Sequence, residues 1–360
     1  MNFKRVDQLL PGFAVGDATS QEALCIQALL KERGLESELF VDPKTDGSLK
    51  EGTCRSMDLL PDDPNGLVIC HYGGQSPTTS RYLKSKAKKV LLYHNITPHT
   101  FWEGFHDEVA RGLAAGREQL PELCAASDAV WTVSEYNAKE LRECGAEDAQ
   151  VFPLLFNPDR FQLAGEPEAI PNLTLPDGHK VFLFVGRLAP NKNVEELLQA
   201  FTIYHQRINP KSSLLLAGSE WTCPRYFAML RLMAGEVAIP HIHFLRYVSD
   251  PQLAYCYGVA DAFVCTSLHE GFCLPLVEAM YHHVPVIARK AGGMPEALGN
   301  AGVLFDDATP SELAELMDYV VSSEEVKQEV LTGQSKRIVE LENRDPGAEL
   351  DALLADVLRR

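Results

Sequence analysis

From residue 181 onward, short apolar segments alternate strictly with segments whose apolar residues recur at the helical period. The apolar segments are VFLFVG (181–186), SLLLAGS (213–219), HIHFLRYV (241–248), AFVCTS (262–267) and VPVIAR (284–289). The helical segments between them are VEELLQAF (194–201), YFAMLRLMAG (226–235), PQLAYCYGVA (251–260) and PLVEAMYHH (275–283). Such alternation predicts an α/β fold, in which helices cover both faces of a parallel sheet.

The first half of the chain follows the same rule. GLVICHY (66–72) and KVLLYHN (89–95) have the composition of buried strands. Residues 19–34 have helical spacing, with a Thr or Ser cap at the start and Gly34 at the end. The proline-rich stretch 156–180 has no sustained period, which predicts a linker.

The length of 360 residues also favours two domains over one. We therefore predict two Rossmann-like domains with parallel sheets that face a cleft. The predicted ranges are 1–165 for the first domain and 175–340 for the second.

Composition excludes several classes of protein. A net charge of −17 does not suit a nucleic-acid binder, which needs a basic face. The nine cysteines are scattered and include no C-x-x-C pair, which argues against a disulfide framework or a zinc site and for a reducing compartment. The N-terminus lacks the apolar core of a signal peptide, and no apolar run approaches the ~20 residues that span a bilayer. We expect a soluble, cytoplasmic protein.

In open α/β sheets, ligands bind where strands end and helices begin. The segment after the 181–186 strand places Arg187 and Lys192 close to Gly186, before a helix that Asn193 could cap with Glu196 as its reciprocal partner. Two cations beside a helix N-terminus favour binding of an anion, usually a phosphate. The alternative is that both cations are solvated loop residues.

The segment SLHEGFCLPLVEAM (267–280) contains Glu270 and Glu278, with seven residues between them. Gly271 allows a tight turn and close approach of a ligand, and Pro275 suits the first position of a helix. The amides of residues 272–276 are then candidates to face an anion. Glu278 could instead compensate the helix dipole from the first turn. As ligand-binding groups, the two carboxylates suit hydroxyl groups: those of a ribose and those of a sugar beyond the phosphates.

Two further loops lie in the first half. His94 follows a strand and could reach a ligand, although a lone histidine can equally be structural. Gly12 and Gly16 stand between the first strand and a helix, but they do not form G-x-G-x-x-G, so a dinucleotide fold of the NAD type is poorly supported.

These residues resemble a known family. FVGRLAPNKNVEELLQAF (184–201), the segment 247–280 and PVIARKAGGMPEAL (285–298) are similar to retaining nucleotide-sugar glycosyltransferases of glycosyltransferase family four, which have the GT-B fold. The N-terminal half resembles the same family more loosely, through residues 16–24, 93–98 and 134–141.

The resemblance implies a hexosyltransferase that moves a sugar from a UDP- or GDP-sugar to a sugar, lipid-linked or other hydroxyl acceptor. It also implies that 1–165 is the acceptor-side domain, that 175–340 is the nucleotide-sugar donor domain, and that 346–360 is a final helix that crosses back to the first domain. It implies roles for the following residues: Arg187 and Lys192 on the donor diphosphate, Glu278 on the ribose, Glu270 on the transferred sugar, Gly186, Gly271, Phe272, Cys273 and Leu274 around sugar and phosphate, Tyr247 and Val248 on the base, and His94 and Gly16 facing the sugar or acceptor. We expect retention of the anomeric configuration, with no cofactor and no metal, because the two cations can offset the phosphate charge.

Two other functions remain open at this point: a sugar-nucleotide epimerase of the same fold, and an inactive nucleotide-sugar binding protein. A phosphorylase is disfavoured, because we find no lysine motif for pyridoxal phosphate. The basic run RYLKSKAKK (81–89) could contact anionic lipid or an anionic acceptor, or could be the solvated face of a helix.

Overall fold

Two separate parallel sheets organise the chain. The computed structural model describes residues 3–14, 16–44, 52–158, 160–161, 165–237, 239 and 241–360. The chain divides into a first unit of Met1–Thr100, Glu108–Phe156 and Asp345–Arg360, and a second unit of Phe101–Asp107 and Asn157–Arg344.

The first unit contains a seven-stranded sheet in the order β3-β2-β1-β4-β5-β6-β7, in which all neighbours are parallel. Its strands are Val6–Leu9 (β1), Leu39–Val41 (β2), Arg55–Ser56 (β3), Leu67–Tyr72 (β4), Lys88–Tyr93 (β5), Ala129–Thr132 (β6) and Gln150–Val151 (β7). Its first helices are Ala18–Glu32 (α1), Pro77–Lys84 (α2), Asp107–Ala125 (α3) and Glu135–Glu143 (α4).

Both faces of this sheet are buried, as continuous apolar strands require. Along β4, Leu67 and Ile69 belong to one apolar cluster, whereas Val68 and Cys70 belong to the other. The parallel pairing of β4 with β5 aligns Ile69 with Val90 and also aligns Tyr72 with Tyr93, the last residues of the two strands. That register places the residues at the ends of these two strands side by side.

The start of α1 corrects a sequence expectation. The N-cap is Asp17, whose side chain accepts a hydrogen bond from the Ser20 amide at 3.1 Å, and not a Thr or Ser of the 19–34 segment. Asp17 has the extended backbone of a cap, so the helix begins two or three residues earlier than the apolar pattern suggests. The predicted end at Gly34 is confirmed, since this glycine follows the helix with φ +74°.

The second unit contains a six-stranded parallel sheet in the order β10-β9-β8-β11-β12-β13, as the strict alternation predicts. Its strands are Lys180–Val185 (β8), Ser212–Ala217 (β9), Ile242–Arg246 (β10), Ala262–Cys265 (β11), Val286–Arg289 (β12) and Val303–Phe305 (β13). Its helices are Val194–Ile203 (α5), Pro224–Val237 (α6), Asp250–Val259 (α7), Leu274–Tyr281 (α8), Met294–Leu298 (α9), Pro310–Ser322 (α10) and Glu324–Glu342 (α11).

The last helix, Pro346–Arg359 (α12), belongs to the first unit. Its apolar residues Leu350, Leu354 and Val357 are buried in the same cluster as Ile69 and Trp131 of the first sheet. The predicted linker 156–180 lies mainly in the second unit, although residues 159 and 162–164 are outside the described part of the chain. None of the helices in the described residues combines the length and hydropathy needed to cross a bilayer.

Candidate functional site

The loops that follow the strands of the second sheet pack backbone against backbone. Gly186 follows β8 with φ +153°, and Gly218 follows β9 with φ +157°. A Cβ atom on Gly218 would lie 1.8 Å from the Gly186 carbonyl oxygen, so only glycine fits there. The Leu188 amide then donates to the Ser219 carbonyl at 3.0 Å. These contacts fix the turn that carries Arg187, whose side chain is exposed.

The loop after β8 is also joined to the loop after β11. The Leu268 amide donates to the Asn191 carbonyl at 2.9 Å, and the Asn191 side chain donates to the His269 carbonyl at 3.1 Å. The Thr266 hydroxyl donates to the Asn193 carbonyl at 2.9 Å. These hydrogen bonds join residues 187–193 and 266–270, which are far apart in sequence, at the carboxyl edge of the sheet. We call the two joined loops the rigid platform.

This platform brings Lys192 and Glu270 together. The Lys192 ammonium donates to the Glu270 carboxylate, and the Ser267 hydroxyl donates to the same carboxylate oxygen at 2.9 Å. Both side chains of the ion pair are largely buried, at 14% and 12% exposed. A cation and a carboxylate that the sequence assigns to different parts of one ligand are thus in direct contact in this structure.

The predicted capping box at Asn193 and Glu196 is wrong. Asn193 is the N-cap of α5, but it has left-handed backbone angles (φ 51°, ψ 43°) and makes no capping hydrogen bond with its side chain. Its side-chain amide donates instead to the Glu196 carboxylate, which is held by Arg289 at 2.5 Å. The buried Arg289 engages the carboxylate that a capping box would need.

The turn before α8 also differs from expectation. The residue in the left-handed region is Cys273 (φ 78°), not Gly271, and the helix begins at Leu274, one residue before Pro275. Pro275 has no amide hydrogen, and the Leu276 amide donates to the Cys273 carbonyl at 3.1 Å. The amides of Phe272, Cys273 and Leu274 remain as candidates to meet an anion.

Two glycines after β12 pack against the backbone of this turn. A Cβ atom on Gly292 would lie 2.2 Å from the Glu270 carbonyl oxygen, and one on Gly293 would lie 2.2 Å from the Gly271 carbonyl oxygen. The Gly293 amide donates to the Glu270 carbonyl at 2.9 Å. The Glu270 backbone is therefore fixed by tight packing against these two glycines.

Glu278 is the fifth residue of α8, beyond the first turn, so compensation of the helix dipole from the first turn does not explain it. Its side chain is 4% exposed. One carboxylate oxygen accepts from Arg160 and the other from the Tyr257 hydroxyl, each at 2.9 Å. Arg160 also donates to Asp250 at 2.7 Å. Burial raises the pKa of Glu278, and the charge of Arg160 and the Tyr257 hydrogen bond oppose that rise.

Nothing in the sequence marks Arg160 or Tyr257 as a functional residue. Arg160 lies in the predicted linker, where no periodic pattern draws attention to one residue. Tyr257 looks like any other apolar residue of α7. Only the folded chain shows that both contact the same carboxylate.

Tyr247 and Val248 lie in the turn between β10 and α7. The Tyr247 side chain is 60% exposed. The preceding residue, Arg246, has φ 61° and pairs with Glu220 at 3.0 Å. The turn ends at a capping box of Ser249 with Gln252, which fixes the start of α7.

In the first unit, His94 lies directly after β5 and joins a buried polar cluster. Its Nε2 atom is 2.9 Å from Nδ1 of His71, and its Nδ1 atom is 3.3 Å from the Glu22 carboxylate. The other ring nitrogen of His71 is 2.8 Å from the Gln8 side-chain oxygen. Burial lowers the pKa of His94 to about 4 and also lowers the pKa of His71. His94 is therefore a neutral imidazole near pH 7. The Gly16 loop lies before α1 in the same unit, with φ +82° at Gly16.

Folding stability is expected to fall as the pH drops from about 6.5 towards 4, because unfolded histidine titrates near 6.5 and buried His94 near 4. Between these values the unfolded chain binds a proton that the folded chain does not, so stability present above the window is lost within it. For His94 alone, lowering the pH from about 8 to about 5 costs about 2 kcal/mol. Urea unfolding at both pH values measures this, with His94→Gln expected to show a shallower pH dependence than wild type.

The same pH dependence in His94→Gln and wild type would contradict the assignment of this loss to His94. His71 remains in both proteins and contributes in the same direction.

The basic run 81–89 is not one helix face. It covers the end of α2, a turn and the first residues of β5. Arg81 pairs with Asp62 at 3.2 Å, and Lys88 pairs with Asp128 at 3.5 Å and donates to the Val357 carbonyl at 3.1 Å. Two of its five cations are therefore engaged within the first unit.

Comparison with known proteins gives the following matches. The sequence model of the family described as "Glycosyl transferases group 1" matches residues 166–336. The D-inositol 3-phosphate glycosyltransferase 2 of Catenulispora acidiphila is 30% identical over 358 residues, covering 83% of this chain and 81% of that protein. The O-antigen chain mannosyltransferase B of Escherichia coli is 32% identical over 142 residues, covering 39% of this chain and 36% of that protein. The chain thus spans about a third of the length of the mannosyltransferase, and 45% of that of the Bacillus subtilis spore coat protein SA.

Solved structures match over nearly the whole chain. The sucrose-phosphate synthase of Thermosynechococcus elongatus superposes with a TM-score of 0.72 at 19% identity and covers 99% of both chains. Anabaena HepE in complex with UDP-glucose superposes with a TM-score of 0.65 at 19% identity, covering 98% of this chain and 99% of that one. At this level of identity the likeness concerns the fold.

Proposed function

Since this chain belongs to the glycosyl transferases group 1 family and has the GT-B fold, we propose that it transfers a sugar from a nucleoside-diphosphate sugar to a hydroxyl acceptor. We propose further that the transfer retains the anomeric configuration and needs no metal. The observation that carries the proposal is the contact of Lys192 with Glu270 on one rigid platform, beside the start of α8.

The chemistry of this platform suits a diphosphate linked to a sugar. Arg187 and Lys192 supply two cations, and the amides that begin α8 add partial positive charge. A cation ~4 Å from a phosphate oxygen contributes on the order of 4 kcal/mol at an effective dielectric of ~20. Glu270, fixed by Gly292, offers a carboxylate to the hydroxyl groups of the sugar.

Donor binding would change the partners of both Lys192 and Glu270. A diphosphate would compete with Glu270 for the Lys192 ammonium, and the Glu270 carboxylate would then be released towards sugar hydroxyls. Each charged group thus has a partner before and after binding, which limits the cost of burying it. In this proposal, the two residues exchange partners together.

Cleavage of the bond at the anomeric carbon leaves negative charge on the diphosphate and positive charge on the sugar. Lys192 and Arg187 would stabilise the leaving group more strongly as its charge grows, which lowers the barrier. The leaving phosphate would take the proton of the acceptor hydroxyl. We propose no covalent intermediate on Glu270, because its carboxylate is assigned to the hydroxyl groups of the sugar.

A thermal-shift screen with UDP-, GDP- and ADP-sugars tests the proposal, because a ligand that binds only the folded state raises the melting temperature. The donor that raises it is then incubated with candidate acceptors, and the anomeric configuration of any product is determined by NMR. An inverted product would contradict retention. Epimerised donor, or binding without transfer to any acceptor or to water, would contradict the transferase itself.

Removal of divalent cations is expected to leave the transfer rate unchanged within about twofold, since the two cationic side chains carry the charge that a metal would otherwise offset. The measurement is the initial rate with and without EDTA after extensive dialysis. Loss of activity that magnesium restores would overturn the metal-free mechanism.

A further inference from the structure

Two cysteines lie on either side of Glu270 in sequence, at the two ends of the turn between β11 and α8, which we call the Glu270 turn. Cys265 is the last residue of β11 and is 2% exposed, whereas Cys273 is the N-cap of α8 and is partly exposed. Their sulfur atoms lie 4.0 Å apart. The Met294 sulfur lies 3.6 Å from the sulfur of Cys265. Three sulfur atoms therefore lie together, and two of them, those of Cys265 and Cys273, are close to the Glu270 carboxylate.

The 4.0 Å between the two sulfur atoms is close to the distance expected for two thiolates on one metal ion, and it is too long for a disulfide bond. Two thiolates on one tetrahedral zinc ion, with Zn–S bonds of about 2.3 Å, have their sulfurs about 3.8 Å apart. A disulfide would require about 2.05 Å. The Glu270 carboxylate supplies a third ligand atom, and the ligand atoms of Cys265, Cys273 and Glu270 all lie within 4.8 Å of one another.

The geometry points to a binding site for a zinc-like divalent cation formed by Cys265, Cys273 and Glu270. Thiolate ligands select zinc over magnesium or calcium, and the Met294 thioether adds to the soft character of the site. Binding replaces two thiol protons by one Zn²⁺, with release of two protons to solvent, so the net charge of the turn does not change.

A hydroxyl group also lies at the site, since the Ser267 oxygen is 3.3 Å from the Cys265 sulfur. A partly exposed Cys273 gives a cation access from solvent.

A second cluster of metal-ligating residues is less suitable. His71, His94 and Glu22 also lie within 4.8 Å of one another. However, the facing nitrogens of His71 and His94 are 2.9 Å apart, whereas two nitrogens on one tetrahedral zinc are about 3.4 Å apart. These two nitrogens would have to move apart to share one zinc ion.

The consequence for function rests on the proposed sugar transfer. A cation on Glu270 would occupy the carboxylate assigned to the sugar and would leave Lys192 without its present partner. Zinc is thus expected to compete with the donor sugar. The site would make the enzyme sensitive to zinc although its chemistry needs no metal.

Cobalt titration of the full, reduced chain tests the site directly, because thiolate ligands give Co²⁺ an intense near-ultraviolet charge-transfer band that histidine and carboxylate ligands do not. We expect one equivalent of Co²⁺ to produce this band and Zn²⁺ to abolish it. Cys273→Gly is expected to weaken Co²⁺ binding at least about a hundredfold, since it removes a direct ligand. Glycine tolerates the left-handed backbone there, so the turn is retained.

Cys144→Ser is the matched control, because Cys144 is a partly buried thiol in the first unit. It should bind Co²⁺ like wild type. Absence of the band in reduced protein, or an unchanged band in Cys273→Gly, would overturn the proposal. So would a mass loss of two hydrogens that maps to these two cysteines in air, with no metal bound, because the pair would then be a disulfide-forming pair. The readout needs no sugar donor, so it is independent of whether the chain transfers sugars.

Discussion

Replacing Lys192 by alanine is expected to lower the rate of sugar transfer by about a hundredfold or more, comparable to loss of an oxyanion-hole donor. Arg187→Ala is expected to have an effect of the same order. Both side chains would stabilise negative charge that is greater in the transition state than in the bound donor, so kcat should fall more than the affinity for donor. Initial rates across a range of donor concentrations measure both quantities.

The matched control is Lys211→Ala. Lys211 is an exposed lysine just before β9, at the opposite edge of the sheet from Lys192. This variant has the same loss of net charge and should retain wild-type kinetics. Near-normal kcat in both Lys192→Ala and Arg187→Ala would show that these cations do not carry the charge of the leaving group.

Lys192→Ala also leaves Glu270 without its cationic partner. Lys192→Arg distinguishes the two effects, because it restores a positive charge near Glu270 but changes its geometry. Recovery of folding stability without recovery of kcat would show that the position of the ammonium group, and not only its charge, matters for transfer.

Glu278→Ala is expected to reduce the free energy of unfolding by about 3 kcal/mol, since it removes one partner of a buried ion pair. Arg160 is only 11% exposed and would retain Asp250 alone. The same variant should weaken binding of the free nucleoside diphosphate, because Glu278 is assigned to the ribose. Urea unfolding and calorimetric titration with the nucleoside diphosphate measure the two effects.

Glu270→Ala provides the comparison. Its carboxylate is assigned to the transferred sugar, so turnover should fall more than affinity for the bare nucleotide. Equal losses of nucleotide affinity in the two variants would refute this division of roles. Arg160→Ala, which removes the other half of the buried pair, should reproduce the stability loss of Glu278→Ala and leave the Glu270 turn intact.

The local features of the site follow from sequence. Arg187, Lys192 and Glu270 all lie in loops that follow a buried strand, and strand ends in a parallel sheet are where ligands bind. The hydrogen bonds between the loops after β8 and β11 bring these residues to one edge of the sheet. Conformational details were less predictable: the left-handed residue is Cys273 and not Gly271, and Glu196 bonds Arg289 instead of closing a capping box.

Contacts between residues that are far apart in sequence could not be derived from such local patterns. Arg160 meets Glu278 across 118 residues, and His71 meets His94 because β4 and β5 are paired in one particular register. Cys265 and Cys273 are close in sequence, yet a C-x7-C spacing predicts no contact until β11 and the cap of α8 are placed. Each partner depends on how separate elements pack.

By itself, the sequence determined the order and type of most elements, the parallel sheets and the loops that carry the charged residues, because apolar periodicity and strand ends are properties of short segments. Tertiary structure alone decided the pairing of Lys192 with Glu270, the burial of Glu278 against Arg160 and Tyr257, and the polar cluster around His94. The physical reason is that hydrogen bonds and desolvation depend on distances of a few ångströms between residues that no local pattern connects.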